Sequence, residues 1–257
     1  MVRSVVATRY VVPLREGGSL PAVVEANDDG LYVLKFRGAG QGPRALVAEL
    51  LAGEIGRALG LPVPEIVLIE LDPALGDAEP DPEIKDLITA SGGVNLGLDF
   101  LPGALAFSPA VGPLPSPELA ADIVWFDALV TNPDRTPQNP NIIVWHGAPW
   151  LIDHGAALFI HHTWRSPLEH ARRPFGRIRE HVLHEFAGSL VEADERLADK
   201  LGRDDLSAIV AGIPDAWLSH EPAIGDASAQ RDAYVEYLLA RLAPPRPFVE
   251  EAQGVRV

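Results

Sequence analysis

Two short stretches near the middle of the chain carry residues whose types and spacing suit phosphoryl transfer. The first contains Asp134, Arg135 and Asn139, and the second contains Asp153 and Gly155. Asp134 would orient a nucleophile, whereas Asn139 and Asp153 supply the oxygen ligands that magnesium prefers. Asp and Asn are also common in turns, where they bond to the local backbone. The ordered set of these residues favours the functional interpretation over simple turns.

A β-hairpin is predicted between the two stretches. We predict that residues 142–145 pair with residues 150–153 across a four-residue turn, so that Ile142 faces Asp153. Paired Cα atoms in an antiparallel ladder lie about 4.5–5.5 Å apart. The hairpin would therefore carry Asn139 and Asp153 to the same end, where both can meet one cation.

The first third of the chain offers a clamp for phosphates. Lys35 lies on an apolar strand, and Glu49 falls in the helix that follows. A strand lysine fixed by a helix glutamate positions the nucleotide phosphates in protein kinases. Glu54 is the competing partner, and an exposed lysine on one strand face is the simpler alternative.

A pair of glycines near the start offers a further candidate contact with phosphates. Gly17, Gly18 and Ser19 lie between the first two predicted strands. Their backbone N–H groups would serve as donors to phosphate oxygens. A simple hairpin turn explains the same residues equally well.

The order of the predicted elements is mixed, with strands first and helices later. Strands are predicted over residues 5–12, 22–26, 31–36, 65–71 and 94–101. Helices are predicted over residues 45–59, 83–90, 117–130, 178–190, 192–201, 206–211 and 229–242. Proline and glycine accumulate between 100 and 117 and mark a boundary. The expected units are residues 1–101, residues 102–243 and a loose, proline-rich tail over 244–257.

Composition excludes several classes of protein. The 257 residues carry a formal net charge of -15, which argues against general nucleic-acid binding and against a polybasic membrane surface. We interpret the basic cluster Arg172, Arg173, Arg177 and Arg179 as a solvated face. The chain has no cysteine, which excludes disulfides and thiolate chemistry. Since no apolar run approaches the roughly 20 residues of a membrane span, we expect a cytoplasmic protein.

Taken in order, these residues resemble the HipA-type kinases and, more distantly, the phosphatidylinositol kinases. The resemblance covers about residues 15–190 and rests on Lys35, Glu49, Leu59-Gly-Leu-Pro-Val-Pro64, Asp134-Arg135 with Asn139, and Ile152-Asp153-His-Gly155. It implies an α+β, bilobed, protein-kinase-like fold that binds ATP and magnesium. The N-terminal lobe would be rich in β-strands, and the mainly helical C-terminal lobe would carry the catalytic β-hairpin.

The resemblance also implies a role for each matched residue. Lys35 would contact the phosphates and be held by Glu49. Asp134 would be the catalytic base, and Asn139 and Asp153 would be the metal ligands. Asp99, Phe100 and Leu101 would form the hinge beside adenine.

The sequence departs from the family at one position and leaves one ligand open. Thr136 stands where these families commonly have a histidine, two positions after the catalytic aspartate, so the predicted mechanism depends on Asp134. Asn141 competes with Asn139 as the metal ligand because a proline separates them.

The function predicted from the sequence is transfer of the ATP γ-phosphate to a hydroxyl, with magnesium as cofactor. The favoured acceptor is Ser or Thr of a protein, the enzyme itself included. The alternatives are a nucleotide-binding pseudokinase-like interaction module and a small-molecule or lipid kinase. A metal hydrolase that uses His181 and His184 is disfavoured, because the chain has no His-Glu-x-x-His motif.

Overall fold

The computed structural model describes residues 2–14, 20–40, 42–77, 79–219 and 221–254. The predicted phosphate loop of Gly17, Gly18 and Ser19 lies outside these residues. The described part confirms the α+β prediction, because a β-rich N-terminal barrel is followed by a mainly helical C-terminal part. The division at residue 101 stays a prediction.

The strands of the N-terminal part close into a barrel in the order β1-β2-β3-β5-β4. They are β1 Arg3–Pro13, β2 Ala22–Ala26, β3 Leu31–Lys35, β4 Ile66–Leu71 and β5 Gly93–Asp99. Neighbouring strands are antiparallel except β1 and β4, whose parallel pairing closes the barrel. Val24, Leu34 and Ile69 are fully buried, because alternate residues of each strand face the interior. The same alternation leaves Lys35 on the other face from Leu34.

Helix α1, Gly42–Leu59, packs between the barrel and the C-terminal part. Two glycines allow this close packing: a Cβ at Gly53 would collide with Ile66, and one at Gly56 would lie 3.0 Å from Val63 Cγ2. The helix ends before Gly60, whose φ of 87° suits a glycine that follows a helix. Glu49 is thereby buried within the molecule.

The C-terminal part is built around helix α3, Pro117–Leu129. Ser116 caps this helix by accepting a bond from the Leu119 N–H at 3.1 Å. The other helices are α2 Pro82–Ala90 (in the N-terminal part), α4 Pro167–Ala171, α5 Leu190–Leu197, α6 Arg203–Val210, α7 Ala227–Leu242 and α8 Pro247–Gln253. Within the described ranges, no helix combines the length and hydrophobicity needed to cross a bilayer.

The central hairpin exists, but the predicted register is wrong. Strands β7, Ile142–Trp145, and β8, Ala148–Leu151, pair so that Ile142 faces Leu151 rather than Asp153; β6, Leu105–Ala106, adds an outer strand. The turn consists of His146 and Gly147, whose φ values are 49° and 78°. Such turns match the twist of the strands they join. Asp153 therefore lies just beyond the ladder.

The prediction of a helix over residues 178–190 is also wrong. Two 3-10 turns, Gly176–Glu180 and His184–Phe186, stand in its place. The backbone here bonds to partners outside a helix: the N–H of Val182 donates to the Arg135 carbonyl, and that of Leu183 donates to His181 Nδ1. These bonds replace the ladder that a continuous helix needs.

Part of the C-terminal tail, residues 244–257, which we predict to be loose, is a packed helix. Residues Pro247–Gln253 form α8, and Phe248 is fully buried. The Phe248 ring meets the Trp125 ring edge-on at 5.8 Å, and the Arg241 guanidinium lies 4.8 Å from its centroid. The apolar residues at 248, 249 and 252 share one helical face, and this face packs on α3.

We expect Phe248→Ala to destabilise the fold by about 3–5 kcal/mol, because it removes a fully buried aromatic ring. Chemical denaturation measures the change in the free energy of unfolding. Glu250→Ala, at an exposed position of the same helix, serves as the control and should change the stability little. Equal stability of the two variants would contradict the packing of α8.

Candidate active site

Lys35 joins the two parts of the molecule through two ion pairs. Its Nζ lies 2.7 Å from Glu49 Oε2 and 2.5 Å from Asp153 Oδ1. Strand β3 supplies the lysine, α1 supplies the glutamate, and the chain just after β8 supplies the aspartate. The competing Glu54 instead pairs with Arg57 at 3.1 Å. The structure therefore shows the Lys35–Glu49 pair that the sequence suggests.

Both members of this pair are charged at neutral pH. Burial alone would raise the pKa of Glu49, but the Lys35 ammonium and a bond from His154 outweigh it and lower the pKa to about 2. Burial would lower the pKa of Lys35, but the Glu49 and Asp153 carboxylates raise it above its ordinary value. The site thus holds a cation beside two anions.

Asp134 is the centre of a second group of polar side chains. Its Oδ2 accepts bonds from the side-chain amides of Asn139 at 2.9 Å and Asn141 at 3.2 Å. The Asn141 amide also lies 3.5 Å from the Asp153 carbonyl oxygen. Asn139 is exposed and Asn141 is half-buried. The structure brings both asparagines to Asp134 and places Asn141 between the two aspartates.

Two of these residues have an unusual backbone conformation. Asn141 and Asp153 adopt φ values of 47° and 57°. Asn and Asp tolerate this left-handed region better than other side chains with a Cβ, yet it remains uncommon. Such positions cluster at functional sites, where surrounding bonds hold them.

A buried ion pair anchors the loop that carries Asp134. Arg135 Nε donates to Asp127 Oδ2 at 2.6 Å, and both side chains are fully buried. The same guanidinium donates to the backbone carbonyls of Asn141 and Ile152. Burial would raise the pKa of Asp127, but Arg135 and His181 outweigh it and hold the pKa well below its usual range. Arg135 therefore ties the loop to both strands at the open end of the hairpin.

The sequence reasoning missed Asp127. A signal was present, because Asp127 is the one charged residue in the apolar run Ile123 to Val130. A carboxylate on the buried face of a helix requires a partner. Its partner, Arg135, lies eight residues further along the chain.

The histidines proposed for a metal hydrolase have other partners. His181 Nε2 bonds to Asp127 Oδ2 at 2.9 Å, and its Nδ1 accepts from the Leu183 N–H, so the proton lies on Nε2. Burial lowers the pKa of His181 and keeps the ring neutral. His184 Nε2 bonds to the Ala252 carbonyl at 2.9 Å. In the described part of the chain, no group of three or more His, Cys, Asp or Glu side chains is placed to hold a metal.

The predicted hinge lies apart from Lys35. The N–H of Asp99 donates to the Glu65 carbonyl and that of Phe100 donates to the Leu31 carbonyl. The side chains of Asp99 and Leu101 line an open groove of about 440 Å³ with two tryptophans. Lys35 instead lines a separate small cavity with Glu49 and Asp153. The role of residues 99–101 beside adenine stays a prediction.

The basic cluster is largely neutralised by acidic neighbours. Arg173, just after α4, pairs with Glu169 of that helix. Arg177 pairs with Glu180 at 3.6 Å, and Arg179 with Glu251 at 2.7 Å. These pairs agree with a solvated face.

Comparisons with known proteins place the chain among kinases. The family model described as HipA-like kinase matches residues 8–247, and no curated protein sequence matches the chain. The structure of the proinflammatory kinase CtkA from Helicobacter pylori is similar, with a TM-score of 0.57 and 12% identity over 99% of this chain and 97% of that chain. The Golgi casein kinase with Mn/ADP bound gives a TM-score of 0.46 and 14% identity over 99% and 74%. The predicted kinase-like fold and family resemblance are confirmed.

We expect Glu49→Gln to reduce the dependence of stability on pH in the acid range. The pKa of Glu49 is lowered from 4.5 to about 2 in the fold, so its carboxylate stabilises the protein above about pH 4.5. This contribution, about 3 kcal/mol, is lost as the pH falls from there to about 2. Chemical denaturation at several pH values measures the slope. The exposed Glu195→Gln is the control, and a slope unchanged by Glu49→Gln would refute the assignment.

Proposed function

The chain belongs to the HipA-like kinase family, and from this premise we propose that it transfers the γ-phosphate of ATP to a hydroxyl with magnesium as cofactor. Phosphoryl transfer itself follows from the family. The observation that supports ATP and magnesium most directly is the charged chain of Glu49, Lys35 and Asp153. It offers one cation for phosphates next to a carboxylate for a metal.

Lys35 is the proposed contact with the phosphates. Its side chain is 12% exposed, and it lines a cavity beside α1. Glu49 fixes the ammonium from the buried side and Asp153 accepts a second N–H, so that the third N–H can face the cavity. A lysine held in this way binds phosphate oxygens without further ordering.

Asp153 and an asparagine are the proposed metal ligands. The Asp153 side chain is 46% exposed, which leaves its carboxylate accessible. Magnesium takes oxygen ligands and draws the rest of its shell from substrate phosphates and water, so one carboxylate and one amide suit it. When bound, the metal would neutralise charge on the phosphate oxygens. Asn141 is our preferred amide, because its side chain lies 3.5 Å from the backbone carbonyl of Asp153, whereas Asn139 is exposed.

Asp134 is the proposed base that orients the acceptor hydroxyl. Two asparagine amides hold its carboxylate, and Arg135 anchors its loop on Asp127. In phosphoryl transfer the protein acts mainly through positioning and electrostatic stabilisation. A carboxylate held by several bonds fits that role.

The proposed acceptor is Ser or Thr of a protein, with the enzyme's own hydroxyl groups included. Residues 137–139 beside Asp134 are exposed. A hydroxyl on a large partner can therefore approach the carboxylate from solvent. Small molecules and lipids are the alternative acceptors.

We expect Asp134→Ala and Asp153→Ala each to lower phosphoryl transfer by about 100-fold or more, because they remove the base and a metal ligand. Purified protein is incubated with labelled ATP and magnesium, alone, with cell lysate protein or with lipids. Asp199→Ala, at an exposed position, is the control and should transfer at the wild-type rate.

The distribution of label identifies the acceptor class. Label on lipid alone would favour the lipid-kinase alternative. A rise in melting temperature with ATP but no labelled product would favour the pseudokinase-like module. No labelled product and no response to ATP would refute the proposal.

We expect Asn141→Ala to raise the magnesium concentration needed for half-maximal transfer more than Asn139→Ala does. The reason is that Asn141 lies beside Asp153, whereas Asn139 is exposed and bonds to Asp134. Magnesium titrations at saturating ATP measure the difference. A larger shift for Asn139→Ala would restore the original assignment of Asn139 as the ligand.

A further inference from the structure

His154 lies directly after the proposed metal ligand and faces away from solvent. Its side chain is fully buried, and its Nδ1 lies 3.4 Å from Glu49 Oε1. The ring also meets the Phe126 ring edge-on at 5.8 Å. The other oxygen of Glu49 holds Lys35. One carboxylate therefore joins the histidine and the lysine.

The direction of the bond follows from its acceptor. An ionised carboxylate only accepts hydrogen bonds, so His154 Nδ1 must carry the proton and donate to Glu49. Among the described residues, the other ring nitrogen, Nε2, has no hydrogen-bond partner.

A histidine is a poor choice for packing at this position. A buried nitrogen without a partner costs stability, and an apolar side chain of similar size would avoid that cost. What the histidine adds is the Nδ1–H bond to Glu49.

We propose that His154 is a positioning residue for phosphoryl transfer, which fixes Glu49 so that Glu49 fixes Lys35. This inference rests on the proposed function. Asp153 and His154 are neighbours in the chain, and they reach the same lysine by two routes. Asp153 contacts Lys35 directly, whereas His154 acts through Glu49. The peptide link between Asp153 and His154 closes these contacts into a ring, which sets α1 against the end of the hairpin.

Loss of the His154 donor should have a specific kinetic effect. Without the donor, the Glu49 carboxylate loses one of its two side-chain partners, and Lys35 is held less firmly. The charge of Lys35 remains, so ATP still binds. The loss should therefore appear in kcat, with KM for ATP little changed.

The test compares His154→Met with His154→Gln, two side chains of nearly the same shape that differ in the donor. We expect kcat of the Met variant to be about tenfold below that of the Gln variant, since a bond to a charged group is lost. The melting temperature of the Met variant should equal or exceed that of the Gln variant. Both comparisons use the full chain with labelled ATP and magnesium.

A second buried histidine provides the control. His184→Met removes the bond to the Ala252 carbonyl, so it should lower the melting temperature and leave kcat unchanged. Equal kcat in the two His154 variants, or a change in KM alone, would overturn the inference while wild-type transfer still supports the proposed function. Absence of transfer by the wild type would instead refute the proposed function itself.

Discussion

The site depends on the buried ion pair between Arg135 and Asp127. Burying two charged side chains away from solvent costs free energy unless the donors and acceptors of each have hydrogen-bond partners. Asp127 accepts from Arg135, Asn132 and His181, and Arg135 also donates to two backbone carbonyls. These hydrogen bonds leave the loop that carries Arg135 little conformational freedom. They therefore also fix the position of Asp134, because it directly precedes Arg135 in the chain.

A second charged cluster lies where the barrel meets the helical part. Lys35, Glu49 and Asp153 come from three separate elements, so their ion pairs exist only when β3, α1 and the hairpin are packed together. The depressed pKa of Glu49 shows that the pairing outweighs the burial of its charge. Folding and assembly of the site are therefore one process, with apolar packing of α1 bringing the charges within reach.

Local rules predicted the elements better than their connections. Apolar periodicity located α1 and α3, and apolar, β-branched runs located the barrel strands, because both patterns act over a few residues. The hairpin register failed because a two-residue turn at His146 and Gly147 was not recognised. The predictions for residues 178–190 and for the tail failed for another reason. Their structure depends on Arg135 and on α3, which lie far away in the sequence.

The same long-range dependence explains the strained backbone of the site. Asn141 and Asp153 flank the hairpin with positive φ, a conformation that is uncommon for residues with a Cβ. The Arg135 guanidinium bonds to the carbonyl of Asn141 and to that of Ile152, which precedes Asp153. The N–H of Ile152 also donates to the Asn141 carbonyl at 3.1 Å. One buried arginine thus stabilises both strained positions and aims their side chains at Asp134 and Lys35. The spacing of the motif identifies the chemical groups, and Arg135 determines where they point.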